Sequence, residues 1–200
     1  MEKTTIKLNE LNDEEYEEMK IIDVVYKNKK IINRSFSECH FKGCDFSETD
    51  FSQTIFEDCI FEKCNLTMIK LDDAKLRGVE FEGCKLLGIQ FNNCGTFIID
   101  MNFNDCYMQY CNFRGLKLKK MKFEKNEMLE CDFIEVDLEG ASFKESILRG
   151  SIFEDSNLMK ANFIDAQDYN INIERNRIKK AKFSSPEVIS LLNSFDIKIF

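Results

Sequence analysis

Phe36-Ser37-Glu38-Cys39-His40-Phe41-Lys42-Gly43-Cys44-Asp45-Phe46-Ser47-Glu48-Thr49-Asp50-Phe51 decides the fold. A phenylalanine returns at every fifth residue, and a slim side chain stands two places before it. The pulse continues through Phe56, Phe61, Leu66, Leu71, Leu76, Phe81, Leu86 and Phe91. It slips by two residues, then resumes as Ile98, Phe103, Met108, Phe113, Leu118, Phe123, Met128, Phe133, Leu138, Phe143, Leu148, Phe153, Leu158 and Phe163. With this position called i, sixteen of the nineteen phenylalanines occupy it. All nine cysteines (Cys39, Cys44, Cys59, Cys64, Cys84, Cys94, Cys106, Cys111 and Cys131) stand at i−2. Chance would put nine cysteines on one phase of five roughly once in several hundred thousand sequences.

A period of five fits neither a helix nor a strand. It fits a chain that turns a corner every five residues, with i and i−2 inward and the other three positions outward. Seven of the eight glycines, Gly43, Gly78, Gly83, Gly88, Gly115, Gly140 and Gly150, fall at i+2, where a corner calls for positive φ. Four corners close a coil of about twenty residues, and coils stack at roughly 4.8 Å.

Blocks such as Cys44-Asp45-Phe46-Ser47-Glu48, Cys64-Asn65-Leu66 and Ala161-Asn162-Phe163 resemble the A(D/N)LXX consensus of the pentapeptide-repeat family. The likeness spans about residues 31–183. It implies an all-β solenoid, a right-handed quadrilateral β-helix. Taking every fourth i residue gives one column, Phe41, Phe61, Phe81, Phe103, Phe123, Phe143, Phe163 and Phe183, provided that two residues near 92–97 loop out. The slip is then a bulge and not a domain boundary.

The ends need caps, because a solenoid exposes its last coil. Residues 1–30 are expected to form a short N-terminal cap with a helix near Glu14–Lys20, and residues 31–183 the β-helix, with Ile173, Ile178 and Phe183 in phase. Residues 184–200 are expected to form a C-terminal helical cap. Ser184-Ser185-Pro186-Glu187 reads as a helix start, Val188, Leu191, Leu192 and Phe195 mark one face, and Asp196–Phe200 follow as a short strand. In gyrase-protecting relatives a comparable module joins two protomers, so Leu191, Leu192, Phe195, Ile197 and Ile199 are the expected homodimer contacts.

Composition narrows the chemistry. The chain shows no apolar leader and no bilayer-length apolar run, which with the odd cysteine count points to a cytoplasmic protein with reduced thiols. The C-x4-C spacings equal the repeat itself, so consecutive thiols lie on different walls and do not converge on zinc. His40 is the single histidine. No triad, phosphate loop or H-E-x-x-H pattern stands out, so no enzymatic activity, metal or cofactor is expected. A net charge of −8 disfavours direct binding to nucleic acid.

The outward positions are left to carry function. The wall built on Phe51, Leu71, Phe91, Phe113, Phe133 and Phe153 presents Asp50, Asp72, Asp73, Asp132, Glu135, Glu154 and Asp155 against Lys70 and Arg114. The wall on Phe46, Leu66, Leu86 and Met108 presents Met68, Leu87, Tyr107, Tyr110, Leu129 and Ile147, an apolar patch of the kind that marks contact surfaces. Resemblance to the quinolone-resistance, microcin-immunity and albicidin-resistance pentapeptide proteins implies a DNA mimic that binds DNA gyrase or topoisomerase IV and protects it from poisons. The chain lacks the long loops of the plasmid-borne members. The alternative is an interaction scaffold with no topoisomerase role. A continuous negative wall favours the first and a patchwork favours the second.

Overall fold

The computed structural model describes residues 5–6, 13–95, 99–195 and 197–198. They form a β-helix of about eight turns whose inner column residues are almost all fully buried. Coils run through four walls. Wall A stacks Tyr16, Phe36, Phe56 and Leu76, then Leu118, Leu138 and Leu158 beyond the slip. Wall B stacks Ile21, Phe41, Phe61, Phe81, Phe103 and Phe123 in one parallel sheet of seven short strands, and Phe163 pairs Phe183 further along. Wall C carries Leu66, Leu86, Met108, Met128 and Leu148, and wall D carries Phe51, Leu71, Phe91, Phe113, Phe133 and Phe153.

The phenylalanine ladder is continuous across the slip. From Phe41 to Phe183 on wall B, successive rings stack with centroids 4.5–5.3 Å apart. Wall D rings stack at 4.8–4.9 Å from Phe91 to Phe153 and meet the wall B rings edge-on. Phe103 pairs with Phe81, 22 residues earlier, so the extra two residues lie between Cys94 and Met101 on wall A. Ile98, expected at i there, lies outside the described residues.

The slim i−2 side chains do more than fill space. Each thiol of Cys39, Cys44, Cys59, Cys64 and Cys84 donates to the carbonyl of an i residue 23 places earlier, at 3.1–3.5 Å. Thr49, Thr54, Ser146, Ser151 and Ser156 make the same bond through a hydroxyl, and Asn126 and Asn176 through an amide. Several also accept the amide N–H of the i−2 residue one coil before, as Asn126 does from Cys106 at 2.8 Å. The position therefore clamps coil to coil and satisfies buried backbone groups.

Corners adopt left-handed backbone whatever the residue. Among the described residues, twenty-three non-glycine residues have positive φ, and all but Asp168 stand at i+2. Coil closure imposes this conformation, so it overrides the preference of individual side chains.

Two expectations about the ends are corrected. The stretch expected as a helix near Glu14–Lys20 is two strands, Glu15–Glu17 and Lys20–Ile22, paired with Ser35–Ser37 and His40–Lys42. Tyr16 and Ile21 are already core residues, and Lys20–Ile22 in turn pairs with Thr5–Ile6, so coils begin before residue 31. Charged outward residues such as Glu14, Glu17 and Glu18 hid the pulse there. Ile173 is not in the wall D column: Phe153 pairs with Ile171, 18 residues on, and Tyr169 and Ile171 fill the core. Two residues are lost near Asp168, which makes the corner early, and two are regained at Ile173–Arg175, so Asn157 again pairs with Arg177. The expected C-terminal helical cap is present, as a 3₁₀-helix over Glu187–Phe195. With three residues per turn, Val188 and Leu191 face inward while Leu192 and Phe195 turn out. Asp196, Ile199 and Phe200 of the expected terminal strand lie outside the described residues, and Ile197 and Lys198 form no strand.

Candidate protein-contact surfaces

Wall D gathers the seven expected acids, and its register shows what each does. Asp50 and Asp132 stand at i−1, where the carboxylate accepts the amide of the residue two ahead: Ser52 at 3.0 Å and Ile134 at 2.8 Å. The same turn recurs at Asp45, Asn65, Asn112, Asp137, Asn157 and Asn162. This is coil architecture. Burial works to raise the Asp50 carboxyl, but the Ser52 hydrogen bonds and the nearby Lys70 and Lys30 leave it below the ordinary value.

The remaining acids point outward, but they do not form one stripe. Asp72 accepts from Asn93 at 2.7 Å, with Asp73 beside it. The next two coils present Gln90, Asn92, Asn93, Asn112, Arg114 and Gly115, with no carboxylate. Glu135 pairs with Arg114 at 3.3 Å. Arg175 reaches Glu154 at 2.7 Å and Asp155 at 3.0 Å. Its place on this wall follows from the regained residues at 173–175, which a uniform five-residue count does not reveal. Lys30, in register with Asp50, also belongs to the wall. Ile152 is half exposed among these charges. The wall is a patchwork of two acidic clusters separated by a polar gap.

Wall C brings together most of the apolar patch. Leu87, Gln109 and Leu129 share one column, and Lys85, Tyr107, Glu127 and Ile147 another. Met68 and Tyr110 stand at left-handed corners and are each 55% exposed. Gly88 lies between them in the corner column, and the Met68 sulfur occupies the space a side chain on Gly88 would need. Leu87, Tyr107, Leu129 and Ile147 are half-buried. Gln109 lies between Leu87 and Leu129 in their column, and Glu127 sets Ile147 apart from Tyr107 in theirs.

The C-terminal cap splits the expected dimer contacts. Leu191 is buried in its own chain's core beside Val188. Leu192, Phe195 and Ile197 are exposed, joined by Ile189, which the α-helical face did not include. Ile199 lies outside the described residues.

The thiols sit inside. All nine cysteines are buried and none is disulfide-bonded, and burial pushes the Cys94 thiol up to about 12. His40 meets Glu62 at 3.0 Å on the surface. Among the described residues, no three His, Cys, Asp or Glu side chains gather as a metal site, and no helix is long and apolar enough to cross a membrane.

Known proteins place the fold. No curated protein sequence matches the chain significantly. A trypsin-treated variant of QnrB1, a plasmid-mediated fluoroquinolone resistance protein, superposes with a TM-score of 0.82 at 18% identity, covering 98% of this chain and 95% of that one. A second trypsin-treated variant gives 0.74 at 18% identity with the same coverage. Full-length QnrB1 gives 0.56 at 16% identity over 89% of this chain and 100% of that one. At such identities the likeness concerns the fold. The model for a pentapeptide repeat region matches residues 34–107, and that for pentapeptide repeats (8 copies) matches residues 137–167. With its five-residue pulse, four-walled coil and matches to both repeat models, the chain belongs to the pentapeptide-repeat family.

Proposed function

We propose that the chain is a non-enzymatic protein-binding rod whose contact surfaces are the apolar patch of wall C and the outward acids of wall D. The observation that carries this reading is the exposure of Met68 and Tyr110 beside Leu87, Tyr107 and Leu129. An apolar cluster on an otherwise charged rod is the expected mark of a partner. Nine reduced thiols fit a cytoplasmic setting. Exposed Ile189, Leu192, Phe195 and Ile197 support a homodimer through the C-terminus.

The partner to test first is a type II topoisomerase, DNA gyrase or topoisomerase IV, because the fold is that of a fluoroquinolone resistance protein over nearly the whole chain. In this reading the rod protects the enzyme from inhibitors, with Asp73, Glu135, Glu154 and Asp155 as its outward carboxylates. The broken stripe of wall D favours the second reading, an interaction scaffold with no topoisomerase role. Supercoiling and drug-stabilised cleavage by gyrase, measured with and without the protein, separate the two. No effect at about 10 μM protein excludes a useful affinity and refutes the topoisomerase reading. If an effect is found, Tyr110→Ala with Met68→Ala should weaken it. Charge reversal belongs at Glu135 and Asp155, since Asp50 and Asp132 hold the backbone.

A further inference from the structure

The C-terminal half of wall A carries a charge opposite to that of the chain as a whole. Over four successive coils, its outward positions hold Lys117, Lys119, Lys120, Lys160, Arg177, Lys179 and Lys180, all exposed. The acids there are Asp137 and Glu139, and both are already engaged. Lys119 meets each at 3.2 Å, and Lys160 meets Glu139 at 2.6 Å. Among the described residues, Lys117, Lys120, Arg177, Lys179 and Lys180 form no ion pair. Seven bases against two acids stand on a chain of net charge −8. The unpaired cations repel one another, and that cost falls when an anionic partner lies over them.

The spacing selects the kind of partner. The unpaired cations form two groups, one on the Lys117–Lys120 coil and one on the Arg177–Lys180 coil. Three coil steps of roughly 4.8 Å separate them, about 14 Å. An extended peptide rises about 3.4 Å per residue and alternates its faces, so side chains at n and n+4 are also about 14 Å apart on one face. The paired Asp137 lies between the two groups. Glu135 and Asp155 stand at the adjoining corner of wall D. Duplex DNA carries a charge about every 1.7 Å and would press phosphates onto all of these carboxylates. A peptide can leave uncharged residues opposite them.

We propose that wall A between Lys117 and Lys180 is a docking surface for an extended acidic polypeptide segment with carboxylates at n and n+4. This surface is separate from walls C and D and does not depend on a topoisomerase partner.

Fluorescence anisotropy with a labelled twelve-residue peptide carrying glutamates at n and n+4 tests the proposal, with a labelled DNA duplex as the competing probe. The peptide should bind the wild-type chain, and raising salt from about 50 to about 300 mM should weaken it. Lys117→Glu/Lys120→Glu/Lys179→Glu should lower its affinity at least about tenfold. The milder Lys117→Gln/Lys120→Gln/Lys179→Gln set covers the case in which reversal disturbs folding, and far-UV circular dichroism checks both. Glu135→Gln/Asp155→Gln should leave the affinity undiminished. Absence of peptide binding at about 1 mM protein, equal binding by the glutamine variant, or tighter binding of the duplex than of the peptide would each overturn the proposal.

Discussion

Asn126 offers the sharpest test of the coil-to-coil clamp. It is 1% exposed, and its carboxamide serves two coils at once. Its Nδ2 donates to the Phe103 carbonyl at 3.0 Å, and its Oδ1 accepts the Cys106 amide at 2.8 Å. Asn126→Ala removes both partners and leaves a buried carbonyl and a buried N–H unsatisfied. Each such group costs about 1–3 kcal/mol, so the expected loss is about 2–5 kcal/mol after partial relaxation. Asn126→Ser should lose less, because Ser146 makes the same pair of bonds one coil on with a hydroxyl. Urea unfolding gives the global figure. Hydrogen exchange of the Cys106 amide gives the local one, which matters because a stacked array can open coil by coil. Alanine and wild type agreeing within about 0.5 kcal/mol, with unchanged Cys106 protection, would show that the clamp adds packing alone.

Phe103→Ala and Phe123→Ala each remove a fully buried ring from the ladder and should cost about 3–5 kcal/mol by urea denaturation. Asp50 has a folded carboxyl below its ordinary value, so its contribution to stability is present above the unfolded carboxyl range near about 3.9 and is lost as pH falls through the folded value. Asp50→Asn should therefore reduce the acid-side slope of stability against pH in thermal melts. Alkylation of the native protein by iodoacetamide at about pH 8 should label no cysteine until denaturant is added, because buried thiols react as neutral hydrophobes. Mass spectrometry counts the adducts. Leu192→Glu with Phe195→Glu should convert any dimer seen by sedimentation velocity to monomer without lowering stability, whereas Leu191→Ala should destabilise the cap itself.

The fold was legible because two independent signals, the phenylalanine pulse and the cysteine phase, repeat the same five-residue count. The column from Phe41 to Phe183 could be written before any coordinates, and every adjacent pair in it stacks. Legibility failed where the count changes without a visible marker. The loss near Asp168 and the gain at Ile173–Arg175 cancel within one coil, so Phe183 stays in phase and hides that Ile171 has taken the place of Ile173. Arg175 was missed on wall D for that reason. The N-terminal coils were missed because their i residues, Tyr16, Ile21, Tyr26 and Ile31, include no Phe or Leu, and no cysteine stands at i−2. Candidate contact residues were legible as outward positions. Their roles were less so, because an i−1 aspartate such as Asp132 looks solvent-facing in sequence but spends its carboxylate on a backbone turn.

The left-handed corners set a conformational cost that every bulky corner residue pays. Glycine sits in this region at no steric cost, and Asn or Asp with little. A methionine or tyrosine there is held against its own preference, by about 1 kcal/mol or more. Met68 at φ 56° and Tyr110 at φ 55° therefore carry the same cost as the Glu, Gln and Lys corners, while Gly88 occupies the corner between them. Replacing either with glycine would relax the coil and remove one of the two most exposed side chains of the patch. Corners held by Glu, Gln and Lys pay the same penalty, so it sets what the coil tolerates and not where a partner binds, and the case for this patch rests on its exposed apolar surface.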